Sequence, residues 1–125
     1  MTPLAESFTI CCRNIYLAGL KPFGFDMLEN RDFIKLQMIA EGLTLRHLYE
    51  YFLENQYYIN LWAAIFILDK FKPALGEKLI GLNDQISIVD ECMEILERHS
   101  EYFDEPQHQN YHLWIKKIKT YYHLT

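Results

Sequence analysis

Cysteine is scarce and badly spaced for a framework: three residues in 125, two of them the neighbours Cys11 and Cys12. An odd count without a spacing pattern excludes the disulfide scaffold of a small secreted domain and predicts reduced thiols in a cytoplasmic protein. Glycines and prolines number five and four, and the glycines stand singly, so no Gly-rich loop is available to cradle a phosphate. Long apolar runs are missing as well. The most apolar stretch, residues 57–68, has Asn60 as its one clearly polar member and falls well short of the roughly 20 residues a membrane-crossing helix needs. Glu6 and Arg13 interrupt the amino-terminal segment, which gives no secretory leader. Excess basic charge is also lacking. Twelve Lys and Arg face 17 Asp and Glu, for a net charge of −5, and this weighs against nucleic acid as the main partner.

What is present is apolar and aromatic. Half of the chain is hydrophobic, with nine Tyr, eight Phe and two Trp. That content excludes disorder, and the length fits a single domain over residues 1–125. Periodicity is helical throughout. Thr2 and Pro3 can open a first helix, carried by Leu4, Phe8, Cys11, Ile15 and Ala18 and stopped at Gly19. Cys11 and Cys12 stand about 100° apart on it, so at most one faces the core well. A second helix is expected over 30–41, ended by Gly42, and a third from Thr44 to about Glu54. Asn55 is expected to cap a fourth over 56–71, apolar on every side and therefore central, which Lys72-Pro73 ends. A short helix follows over 73–80. Ser87 and Asp90 form a capping box for a long helix over 87–101. Pro106 starts the last helix, with Tyr111, Trp114, Ile115, Ile118, Tyr121 and Tyr122 as its stripe. Six or seven helices with short connections make an all-α domain, either a helical-hairpin scaffold or an irregular bundle.

The run Asn60-Leu61-Trp62-Ala63-Ala64-Ile65, followed by Leu68, Phe71, Pro73, Leu75, Leu79 and Leu82, resembles a helix hairpin of the HEAT-repeat kind. Such hairpins set an apolar helix with paired small residues against a second helix after a Pro-containing turn. The likeness covers about 55–82, and no second copy follows at the period an array requires. Similar short helical proteins occur among bacterial immunity proteins. The resemblance therefore implies a helical scaffold that neutralises a partner toxin.

Enzyme signatures are few. Gly-x-Ser-x-Gly, His-Glu-x-x-His and Cys-x-x-Cys are all absent. No Arg has a His five to seven positions downstream, so the Arg-to-His motif of some helical toxins is missing too. Glu105-x-x-His108 with His112 is the one metal-ligand spacing, because His108 and His112 share a helical face. A carboxylate-bridged dimetal site needs a second Glu-x-x-His, and Lys116, Lys119 and His123 on the same edge oppose a cation. His99, at the margin of an apolar arc, reads as a boundary histidine; acid–base work with Asp104 would need a nucleophile that the sequence does not show.

Charge is sharply partitioned. Residues 1–83 sum to −1, residues 84–105 to −7 and residues 106–125 to +3. Asp90, Glu91, Glu94, Glu97 and Glu101 occupy one arc of the fifth long helix, and Tyr102, Asp104 and Glu105 extend it. Their mutual repulsion costs about 1 kcal/mol, tolerable for a helix with a buried stripe, so the arc is either a solvated face, partly neutralised by the lysine-bearing last helix if the two pack antiparallel, or a surface for a basic partner. The expectation is a non-enzymatic, cofactor-free binding module of the immunity or antitoxin type. Its partner would be a basic toxin or effector protein, met through Asp90, Glu91, Glu94, Glu97, Glu101, Tyr102, Asp104 and Glu105. The alternatives are a small metal- or ligand-binding enzyme using Glu105, His108 and His112, and a homodimeric structural or phage-encoded regulatory protein.

Overall fold

The computed structural model describes residues 3–23, 27–79, 86–103 and 109–124. Over these residues the elements are helical and the fold is all-α. Helix α1 (Pro3–Leu17) ends as its sequence dictates. Gly19 takes the left-handed region at φ 79°, and the amides of Gly19 and Leu20 donate to the carbonyls of Tyr16 and Ile15 at 2.9 and 3.2 Å. These bonds satisfy carbonyls that the helix end would otherwise orphan. The expected cap Thr2 lies outside the described residues. α1 packs between α2 (Arg31–Glu41) on one side and α4 (Ile59–Phe66) with the 56–58 turn on the other. Contact on both sides corrects one expectation: Cys11 and Cys12 are both buried, at 2% and 0% exposure.

Caps set the short helices. Asn30 accepts from the Phe33 amide at 2.9 Å to start α2, and Thr44 accepts from the His47 amide at 3.1 Å to start α3 (Leu45–Tyr49). The chain then tightens into a 3-10 turn, Glu50–Leu53, instead of holding one α-helix to residue 54.

The central helix is shorter than its pattern. Residues 56–58 form a turn in which Tyr57 and Tyr58 adopt left-handed backbone, at φ 55° and 57°. The Asn55 side chain makes no cap and accepts instead from Asn60 Nδ2 at 3.1 Å. α4 follows with all eight residues buried, as expected for a helix apolar all round. It widens into a π-turn, Ile67–Phe71, closed by the Lys72 amide on the Ile67 carbonyl at 3.0 Å. Pro73 excludes right-handed helix at Lys72, which sits at φ 45°.

The helix expected over 73–80 does not form across 73–79. Gly76 at φ 82° allows a turn there, with the Glu77 amide donating to the Ala74 carbonyl at 3.1 Å. The Ile88 amide in turn donates to the Glu77 carbonyl at 2.8 Å, tying this stretch to the start of α5 (Ile88–Arg98). α5 stops at His99, and a four-residue helix α6 (Ser100–Phe103) follows, so the expected helix over 87–101 is broken in two. The last helix, α7, runs Gln109–Tyr121. Its expected start at Pro106 lies outside the described residues.

An aromatic cluster of Phe8, Phe33, Tyr51, Trp62 and Phe66 joins α1, α2, the 3-10 turn and α4 at ring separations of 4.9 to 6.3 Å. Ring pairs of this kind add about 0.5–1.5 kcal/mol each beyond their area. Two buried phenols fasten distant chain: Tyr51 donates to the Ala5 carbonyl at 2.9 Å and Tyr122 to the Pro73 carbonyl at 2.6 Å. Desolvation, first of all, pushes both hydroxyls up to about 12. α7 docks through Ile118, Tyr122 and the contact of Tyr111 and Trp114 with Phe23, whereas Tyr121 of the expected stripe is 53% exposed. Among the described residues, no helix is long and apolar enough to cross a membrane.

Candidate functional site

α5 separates its faces because Ile88, Val89, Cys92, Ile95 and Leu96 are buried against the core. Packing of that stripe leaves Asp90, Glu94 and Glu97 exposed at i, i+4 and i+7, and Glu101 is exposed beyond the break at His99. The Ser87 hydroxyl accepts from the Asp90 amide at 3.2 Å and donates to the Asp90 carboxylate at 2.8 Å. Asp90 is thus both a cap partner and the first acid of the row. Glu91 departs from the expected arc: it is half-buried and accepts from the Tyr49 hydroxyl at 2.7 Å. Arg98 pairs with Glu94 at 3.2 Å, and both side chains are more than half exposed, so solvent leaves that pair worth only a few tenths of a kcal/mol.

Tyr102 belongs to α6; Asp104, Glu105 and His108 lie outside the described residues. His112 is exposed on α7. Among the described residues, no three His, Cys, Asp or Glu side chains are grouped to hold a metal. Nor does any ion pair among them join the acids of α5 to Lys116, Lys117 or Lys119. Among the described residues the acidic arc is thus a solvated face without neutralisation by the last helix, and its exposure suits a basic partner equally.

Three cavities border the acidic row or the neighbouring segment 52–59. The first, about 220 Å³, lies between Phe52, Leu53 and Ile86 on one side and Glu91, Glu94, Ile95 and Arg98 on the other. Leu53 is 92% exposed at its rim. The second, about 350 Å³, is a cup of Tyr16, Asn55, Gln56, Tyr57, Tyr58 and His99 at the carboxyl end of α5. A third, about 260 Å³, adjoins it across Gln56 and Tyr57 and is edged by Arg13 and Glu54. In the cup, Tyr16 meets Tyr57 edge-on at 5.3 Å and Tyr58 at 5.8 Å, while Tyr58 meets His99 at 5.7 Å. Burial first, and Arg98 second, hold the His99 imidazole below its ordinary value, so it is neutral at pH 7.

Sequence reasoning missed Leu53 and the cup. Leu53 interrupts the spacing of Leu45, Leu48 and Phe52, which is a weak signal. Nothing in a Tyr-Tyr dipeptide marks left-handed backbone, a region that bulky residues avoid. The cysteines carry no chemistry at this edge: Cys11, Cys12 and Cys92 are buried and free, and desolvation raises all three thiols. No family model matches the chain, and no curated protein or solved structure matches it either.

Proposed function

We propose that this chain is a non-enzymatic binding module that covers a basic surface of a protein partner, in the manner of an immunity protein or antitoxin. The observation that carries the reading is the exposed row Asp90, Glu94 and Glu97 beside a cleft whose rim holds the exposed Leu53. A row of like charge raises the rate of encounter with an oppositely charged surface. An apolar side chain standing at the edge of a cleft supplies an anchor that charge alone lacks. Glu91 contributes less to recognition than the other acids, because its carboxylate is already held by Tyr49.

The test uses the product of the neighbouring gene, since inhibitors of this kind are encoded beside their targets. Glu94→Lys with Glu97→Lys is expected to weaken binding by tenfold or more, about 1.4 kcal/mol, through a slower association rate. Leu53→Ala is expected to raise the dissociation rate instead. Neither change is expected to move the melting temperature much, because all three side chains are exposed and the Glu94–Arg98 pair that is lost is a solvated one. Unchanged binding by both variants, with loss of binding on Lys116→Glu and Lys119→Glu, would overturn the reading.

A further inference from the structure

The cup at the end of α5 calls for an occupant of different chemistry from the acidic row. Among the described residues its lining is three tyrosines, two carboxamides and an imidazole. No carboxylate or ammonium is among them. Tyr57 and Tyr58 reach their places only through two successive left-handed residues, a conformation costing about 1–3 kcal/mol per residue that persists where the surroundings demand it. Asn55 is fixed by the Asn60 amide on its Oδ1, which leaves its Nδ2 as a donor. The Gln56 carboxamide, which has both a donor and an acceptor, is exposed.

We propose that this cup binds an uncharged, nitrogen-bearing aromatic ring of nucleobase size, stacked on tyrosine and held at its edge by the Asn55 and Gln56 carboxamides. Aromatic faces favour such a ring because stacking needs no charge on either side. Carboxamides read the paired donors and acceptors along a heteroaromatic edge. Tyrosine faces alone would tolerate a cation, but no carboxylate among the described lining residues balances one, and Arg98 beside His99 opposes it. A phosphate finds no cation among the described lining residues, because Arg98 is turned to Glu94 and Arg13 edges the adjoining cavity beside Glu54. A sugar ring on its own has no flat π face to stack on the tyrosines. The occupant is therefore a free base or nucleoside and not a nucleotide. This site is independent of the protein partner proposed above.

Isotope-edited NMR titration of the full chain tests it with four probes at up to about 10 mM, a range that captures weak single-ring binding. Adenosine is expected to shift the resonances of Tyr16, Tyr57, Tyr58 and His99 saturably. Adenosine monophosphate is expected to do so at least threefold more weakly, and tetramethylammonium and methyl β-glucoside not at all. Tyr57→Gly, which relieves the left-handed backbone but removes a ring packed on Tyr16, is expected to weaken adenosine binding about tenfold, with the fold checked by an unchanged circular-dichroism spectrum. Gln56→Ala, an exposed change, is expected to weaken it about threefold. The proposal is overturned by no saturable shift with adenosine, by shifts centred elsewhere, or by a stronger response to one of the other probes. Adenosine binding that survives Gln56→Ala and Tyr57→Gly also overturns it.

Discussion

His99 ends α5 and faces Tyr58, and burial there disfavours its protonation. Its folded value lies below the ordinary one. Between the two, the unfolded chain binds more protons than the native one, so stability falls as pH drops below about 6.5 and is fully present above it. The groups facing the imidazole are the phenols of the cup and the guanidinium of Arg98, which acts in the same direction. His99→Gln is expected to flatten the melting temperature between pH 5 and pH 7 relative to the parent, followed by circular dichroism. A slope unchanged by the substitution would assign the acid sensitivity to another group. The sequence placed His99 correctly at the boundary of an apolar arc. Its contact with the Tyr58 ring was hidden, because that ring is placed by a left-handed turn about forty residues earlier.

At the scale of elements, caps were the most legible feature and interruptions the least. Asn30, Thr44 and Ser87 each hold the amide three residues on, as their residue types predict. These are local bonds that a sequence can encode within one turn. The failures share another cause. Residues 56–58 and 73–79 have helical patterning but leave the helix for tertiary reasons: tyrosine rings packing on Tyr16 in one case, and a turn tied to Ile88 in the other. Ser87 carries more than its cap, since its hydroxyl also holds the Asp90 carboxylate. Ser87→Ala is therefore expected to cost about 1–2 kcal/mol, measured by urea denaturation, and Ser87→Thr to recover most of it. A loss below about 0.3 kcal/mol would mean that α5 is held by its buried stripe alone.

For the whole molecule, the core of α1, α4 and α5 shields all three thiols. Raised and buried, they are expected to stay unlabelled by a maleimide at neutral pH in the native state. Labelling in mild urea should then proceed with the rate of global opening, with Cys12 and Cys92 appearing together under mass spectrometry. Early labelling of Cys92 alone would show that α5 detaches as a unit of its own. The all-α class and the central position of α4 follow from composition and periodicity. The edge made by 52–59 and α5 does not, because it depends on which surfaces remain after the helices have packed. One consequence concerns the lysines of α7, which no ion pair ties to the acids of α5 among the described residues. Charge is segregated along the chain, −7 over 84–105 against +3 over 106–125, and the exposed Asp90, Glu94 and Glu97 gather negative charge on one face of α5. Such a body experiences a torque in the field of any charged neighbour. It turns before it touches, and the face that carries Asp90, Glu94 and Glu97 is drawn toward positive charge.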